Sequence, residues 1–155
     1  MFGKKIDTNE EKIEEILTRG VSNIAVREDL KKELLSGRQL RVKLGIDPTS
    51  KNIHLGRAAQ LLKLRDFQGL GHKIIFILGD FTGIIGDTSD KESERPMLTK
   101  NEIEENQKTY FKQIEKILDL KKTETRRNSK WLSMLTYKEI GEQANQFALA
   151  DFIAR

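Results

Sequence analysis

The sequence predicts an α/β protein built on a parallel sheet, and three stretches carry that prediction. "LRVKLGI" (40–46) alternates apolar and polar residues between turn formers, as a strand does. "KIIFILG" (73–79) is a continuous apolar run of the kind found in a sheet covered on both faces. Between them, "HLGRAAQLLKLRDFQ" spaces Ala58, Leu61, Leu62, Leu64 and Phe67 broadly along one helix face. A right-handed crossover then sets the two strands side by side, with their C-terminal ends facing the same way. The loops "DPTSKNIHLGR" and "GDFTGIIGDTSDKESERP" leave those ends, where open α/β sheets bind ligands.

Ahead of this unit, Thr8 followed by Glu11 fits a capping box, Ile13, Ile16 and Leu17 form a helical stripe, and Gly20 closes the helix. A second short helix is expected from about Val26 to Ser36, stopped by Gly37. Residues 1–39 are therefore expected to be an N-terminal helical appendage, and 40–155 a partial catalytic or binding domain. After the second loop, Thr99 and Glu102 again fit a capping box for a long helix reaching about Leu118, with Ile103, Tyr110, Ile114, Ile117 and Leu118 as its apolar positions. "TETRRN" is read as a short strand that brings Asn128 back to the C-terminal edge of the sheet. "SKWLSMLTYKEIGEQANQFALADFIAR" is read as helix running to Arg155 without a stop signal, so the chain is expected to be cut there rather than finished.

Composition limits the function classes. A chain of 155 residues can bury a real core without disulfides or a structural metal. Cysteine is absent, which excludes disulfides and cysteine-based zinc sites. The N-terminus has no signal-peptide pattern and no segment has the length to cross a bilayer, so a cytoplasmic protein without a membrane partner is expected. A net charge of +4 permits a polyanionic partner without requiring one.

The chemistry concentrates at the two loops. His54 stands at a helix entrance, and its plain reading is an N-cap neighbour or a surface histidine. Against that, a helix N-terminus offers unpaired N–H groups and a partial positive charge, which suit phosphate. Gly56 removes a side chain where a ligand would approach, and Thr49, His54 and Arg57 present donors around the same mouth. Such donors suit a transferring phosphoryl group. In the second loop Gly79, Gly83 and Gly86 let the backbone turn at the strand end, with Asp87 next in line. Asp87 either caps a neighbouring turn or faces a cation, which would be a substrate amine or a magnesium ion. Lys91 and Arg95 are either solvated charges or lid cations that swing onto phosphates.

These two loops at this spacing resemble the N-terminal half of the catalytic domain of the tyrosyl-tRNA synthetases, which are class I aminoacyl-tRNA synthetases. The similarity runs from about Leu40 to Arg155, and "HLGR" sits where that class has His-Ile-Gly-His. The resemblance implies a Rossmann-like parallel sheet and a two-step reaction. Tyrosine attacks the α-phosphorus of ATP, giving tyrosyl-adenylate and pyrophosphate, and the 3′-terminal ribose of tRNA(Tyr) then takes the tyrosyl group. It further implies that Thr49 and His54 stabilise the departing phosphates and that Gly45, Asp47, Gly56 and Arg57 line the ATP and adenylate site. Asp87 would hold the tyrosine amino group, Thr82 would line the amino-acid pocket, and Lys91 and Arg95 would act on pyrophosphate. ATP with Mg2+ is then a substrate, no tightly bound cofactor or resident metal is expected, and the complete protein is expected to be a homodimer.

Two residues depart from the family pattern. Arg57 replaces the second histidine of the signature, and Lys43 stands where one branch has a tyrosine that contacts the substrate phenol. The family's Lys-Met-Ser-Lys-Ser loop, amino-acid-binding helix and tRNA-binding region would all fall beyond Arg155, so the 155 residues alone are expected to be inactive. The alternatives are a synthetase-like module that binds nucleotide, RNA or protein without catalysis, and a small cytidylyl- or adenylyltransferase. The latter would complete its site within one domain, and no second phosphate motif follows residue 100.

Overall fold

The computed structural model describes residues 6–85 and 98–153. Helices α1 (Glu10–Thr18) and α2 (Arg27–Leu35) precede strand β1 (Arg41–Ile46), helix α3 (Leu55–Gly69) and strand β2 (Lys73–Leu78). A short helix α4 (Thr82–Ile85), the long α5 (Lys100–Ile114), a 3-10 turn at Leu120–Lys122 and strand β3 (Thr123–Arg127) follow. The described chain ends in three short helices, α6 (Ser129–Leu132), α7 (Tyr137–Ala144) and α8 (Leu149–Ile153). Among the described residues the strands form one sheet in the order β1-β2-β3, parallel throughout, with Gly45 beside Ile77 and Ile77 beside Arg126. The expected strand-helix-strand unit is present, and β3 delivers Asn128 to the C-terminal edge, where its N–H donates to Leu78 O at 3.0 Å.

The alternation of β1 explains its packing. Val42, Leu44 and Ile46 join a core made with Phe76, Leu78, Leu61, Leu64, Tyr110 and Ile114, while Arg41, Lys43 and Gly45 face outward. The crossover helices α3 and α5 supply that core. On the outward face, register sets Ile75 between Lys43 and Glu124, and Glu124 pairs with Arg41 at 3.6 Å and Arg126 at 2.5 Å. A second cluster joins Ile13, Ile16, Leu17 and Leu34 to Leu70, with Phe67 touching both clusters. The Lys63 ammonium donates to Ile16 O at 2.8 Å and Arg19 O at 2.6 Å. A cation there satisfies end carbonyls of α1 and opposes the negative end of its dipole.

Four local readings need correction. Asn9, not Thr8, caps α1: its Oδ1 accepts from Lys12 N at 3.0 Å, which places Glu10 and Glu11 in the first turn, where acidic residues favour the dipole. Leu62 is 40% exposed, because Leu61 and Leu64 face the sheet and Leu62 is rotated off that stripe. The Thr99 capping box is formed, but α5 stops at Ile114 as Lys116 and Ile117 tighten into i→i−3 bonds, and Leu118 is nonetheless buried. The C-terminal helix breaks twice. Thr136 and Glu139 make their own capping box, and the Asp151 carboxylate accepts from Ala148 N at 2.9 Å, so two fresh helix starts interrupt the run.

His72 sits buried in the turn before β2, with its Nδ1 accepting from Leu40 N at 3.3 Å and no partner for Nε2 among the described residues. Burial pushes its pKa below that of a free imidazole. The unfolded chain therefore binds this proton near pH 6.5, as an ordinary histidine does, and the folded chain resists it. Stability attributable to His72 is fully present above about pH 6.5 and is lost as pH falls below it. Exposed carboxylates titrate lower still: the Lys12 ammonium holds Asp7 below the usual range, and the Thr99 N–H does the same for Glu102. Urea midpoints at pH 7 and about pH 5.5 should thus converge in His72→Asn, whose amide oxygen can accept from Leu40 N. An equal acid loss in both proteins would remove His72 as the cause.

Candidate functional site

The C-terminal ends of the three strands are tied into one hydrogen-bonded edge. Asn128, just past β3, is buried; its Oδ1 accepts from Phe81 N at 2.9 Å and its Nδ2 donates to Thr82 Oγ1 at 2.8 Å. The Thr82 hydroxyl in turn donates to Asp47 Oδ1 at 2.6 Å. This relay crosses from β3 through β2 to β1. Its direction is fixed because an amide nitrogen can only donate. The Asp47 carboxylate lies directly over Gly79, where a Cβ would stand 1.7 Å from Oδ1. Nearby, the Asp80 carboxylate accepts from Ser129 N at 2.9 Å and Ser129 Oγ at 2.7 Å, which secures the start of α6.

Asp47 also anchors the first loop through its backbone. Its carbonyl accepts from Thr49 N at 2.9 Å and from the Arg57 guanidinium, whose Nη1 donates as well to the buried Tyr110 hydroxyl at 2.9 Å. Arg57 therefore turns inward and staples the first turn of α3 to β1 and α5. Pro48 is fully buried. Its carbonyl accepts from Asn106 Nδ2 at 2.9 Å, and the loop beyond it is bound by Thr109 and Gln113 of the same helix.

Against this background two side chains stand free. His54 is the N-cap residue of α3 by its backbone, with its carbonyl accepting from Ala58 N at 3.1 Å, while its exposed ring caps nothing. Neither that imidazole nor the half-buried Thr49 hydroxyl has a hydrogen-bond partner among the described residues. Gly56 makes room for the ring: a Cβ there would meet His54 Nδ1 and Cε1 at 3.2 Å. Among the described residues a Cβ on Gly45 would meet only Ile77 O, at 4.0 Å, on an exposed stretch of β1, so packing among them does not require glycine there. Gly83, read as a turn residue, lies instead in α4 with Ile103 Cδ1 at 3.0 Å from a notional Cβ, so its smallness lets α4 approach α5.

Of the residues predicted from the sequence, the structure thus brings Gly45, Asp47, Thr49, His54, Gly56, Arg57 and Thr82 to the C-terminal edge. Thr82 is engaged with Asp47 and Asn128, and Lys43 is exposed on the outward face of β1. Gly86, Asp87, Lys91 and Arg95 lie outside the described residues. Asp80, Asn106, Thr109, Tyr110 and Gln113 were not anticipated as site-building residues. The buried polar side chains of α5 were the available signal, because such groups require partners. A cleft of about 520 Å³ lined by Asp80, Lys100, Gln107 and Arg127 opens beside this edge, but neither Thr49 nor His54 lines it. Among the described residues no group of three or more His, Asp or Glu could hold a metal ion, and no helix is long and apolar enough to cross a membrane.

Residues 35–155 match the family model described as tRNA synthetases class I (W and Y). The chain is 44% identical over 150 residues to a tyrosine–tRNA ligase of Dehalococcoides mccartyi strain CBDB1, covering 97% of this chain and 38% of that protein. It is 45% identical over 148 residues to a tyrosine–tRNA ligase of Thermotoga maritima, covering 96% of this chain and 37% of that one. Its fold matches a tyrosyl-tRNA synthetase of Archaeoglobus fulgidus crystallised with L-tyrosine, with a TM-score of 0.71 at 22% identity, over 91% of this chain and 42% of that one. A C-terminally truncated mitochondrial tyrosyl-tRNA synthetase of Aspergillus nidulans gives a TM-score of 0.69 at 15% identity, over 94% and 49%. The chain therefore spans less than half the length of each of these relatives, from 37% to 49%.

Proposed function

The chain belongs to the class I tRNA synthetases of the tryptophan and tyrosine type, and from that membership we propose that it supplies the ATP-facing part of a tyrosine–tRNA ligase. The carrying observation is that the side chains of Thr49, in the loop leading to α3, and His54, its N-cap residue, have no hydrogen-bond partner among the described residues, while the loop's backbone is tied down. A helix N-terminus with two free donors suits the phosphates of MgATP. The tyrosine carboxylate attacks the α-phosphorus, the bond to the bridging oxygen of pyrophosphate breaks, and Thr49 and His54 stabilise the charge that builds on the departing phosphates. Gly45, Asp47 and Gly56 line the adenylate, with Arg57 holding the entrance of α3 in shape.

In this reading Asp87 takes the tyrosine ammonium, Lys91 and Arg95 act on pyrophosphate, and Thr82 lines the amino-acid pocket. The tyrosyl group then passes to the 3′-terminal ribose of tRNA(Tyr). Residues 1–39 serve as a helical appendage and 40–155 as part of the catalytic domain of a cytoplasmic homodimer. The identity of the curated relatives supports tyrosine over tryptophan as substrate.

The test is amino-acid-dependent ATP–pyrophosphate exchange, run on the full product of the reading frame that carries these residues and on residues 1–155 alone. The full product should exchange with tyrosine and with no other amino acid, and the 155-residue chain should not, because transition-state stabilisation needs both halves of the site closed on the substrate. Exchange with tryptophan, or none in the full product, would overturn the reading, the second result favouring a non-catalytic binding module.

A further inference from the structure

We propose that Asn106, Thr109 and Gln113 of α5 are positioning residues for the ATP-facing loop, fixing residues 48–53 in the form that presents Thr49 and His54. This inference rests on the function proposed above and assigns roles to residues that touch no substrate in it.

The loop does little to hold itself. Within it, Thr49 N donates to Asp47 O at 2.9 Å and Ser50 Oγ donates to Asn52 O at 2.8 Å. Its other anchors come from α5. Asn106 Nδ2 donates to Pro48 O at 2.9 Å in a buried setting, and the single proton of Thr109 Oγ1 is shared between Lys51 O at 2.5 Å, the shorter contact, and Asn106 O of its own helix at 2.8 Å. Gln113 uses both ends of its amide: Nε2 donates to Lys51 O at 2.9 Å, and Oε1 accepts from Ile53 N at 2.9 Å. Turning that amide over would set oxygen against oxygen and N–H against N–H, so its orientation is fixed by its partners. Residues 106, 109 and 113 are spaced i, i+3 and i+7, a single stripe of the helix. The stripe grips the backbone at Pro48, Lys51 and Ile53, on either side of Thr49 and up to the residue before His54.

Tyr110, one position on from Thr109, receives the Arg57 guanidinium, so the same helix also holds the first turn of α3. Asn, Thr and Gln bring no net charge to a site meant for phosphate. They shape the loop without altering the field that His54 and the helix dipole create. Small displacements of such donors weaken transition-state contacts far more than ground-state binding, because the reacting geometry is demanding.

The experiment compares Gln113→Ala, Gln113→Glu, Thr109→Val and Thr109→Ser in the full-length protein, with Lys108→Ala, an exposed residue of α5, as control. Gln113→Ala should lower kcat for tyrosine-dependent pyrophosphate exchange about ten- to a hundredfold, with tyrosine KM little changed. Gln113→Glu, which still accepts from Ile53 N but sets a charged oxygen against Lys51 O and adds negative charge beside a phosphate site, should lose at least as much as Gln113→Ala. Thr109→Ser should restore what Thr109→Val loses. Variants that lower only the melting temperature, at unchanged kcat, would overturn the proposal as a merely structural role. If Gln113→Ala fails to fold, the Thr109 pair decides by the same criterion. Amide exchange separates this proposal from the functional one. Should the wild type show no tyrosine-dependent exchange, the function proposed above fails. The clamp is then upheld by an Ile53 N–H that is protected in wild type and exposed in Gln113→Ala, and overturned by one unprotected in both.

Discussion

Replacing His54 by alanine should lower tyrosine-dependent ATP–pyrophosphate exchange about a hundred- to a thousandfold through kcat, the cost of losing one preorganised donor to a developing oxyanion. The imidazole stands exposed at the N-terminus of α3 and caps nothing in the folded chain. Its removal therefore breaks no hydrogen bond among the described residues and opens no buried cavity, so the melting temperature should hardly move. That dissociation of rate from stability is the informative part. Thr49→Ala should act in the same sense, since its hydroxyl is likewise without a partner among the described residues. An effect confined to tyrosine KM would reassign both residues to amino-acid binding, because uniform binding energy lowers KM without raising kcat. A melting temperature that falls in step with activity would make His54 a structural residue.

The contrast with Arg57 shows how far the sequence could be read. The strand-helix-strand unit was legible because "KIIFIL" is apolar throughout and the residues before it switch to helical spacing, both local signals. His54 was placed at the start of α3 for the same reason, and the structure makes it the N-cap residue. Arg57 looked equally like a free donor, yet its guanidinium is spent on Asp47 O and on Tyr110, which lies 53 residues further along the chain. Thr82 likewise meets Asp47 across 35 residues and Asn128 across 46. No periodicity reports such pairs, because sheet topology alone brings them together. The α5 stripe is an intermediate case. Asn106, four residues before the buried Tyr110, and Gln113, next to the buried Ile114, are marked by those positions as polar groups near a core, without naming the loop that satisfies them. The Thr136–Glu139 capping box is present in the sequence, but the segment reads as helix on both sides of it, so continuous periodicity masks the fresh start.

Gly79→Ala should be the most damaging single methyl group in the described chain. The new Cβ would lie 1.7 Å from Asp47 Oδ1, 2.8 Å from Asp47 Cγ and 2.6 Å from Thr82 Oγ1, all far inside contact distance. The protein can respond in two ways. Either the Asp47 carboxylate swings off the glycine, which forfeits its hydrogen bond from Thr82 and leaves the Asn128 relay without an acceptor, or β1 and β2 part at their C-terminal ends, where Gly79 N donates to Ile46 O at 2.9 Å. The first route costs about 1.5–3 kcal/mol, the range for a hydrogen bond to a charged group. The second strains a packed sheet by about 1–3 kcal/mol, the range for overpacking. A loss of about 1–3 kcal/mol in urea denaturation is therefore expected, set by whichever route is cheaper. Because Asp47 also carries Thr49 and Arg57 on its carbonyl, activity should fall beyond what the lost stability explains. A double-mutant cycle identifies the cause: Asp47→Ala removes the carboxylate that the methyl group strikes, so Gly79→Ala should cost markedly less in that background. Equal costs in the two backgrounds, or a Gly79→Ala protein as stable as wild type, would show that the carboxylate does not rest on Gly79 and that the edge joining the three strands is built some other way.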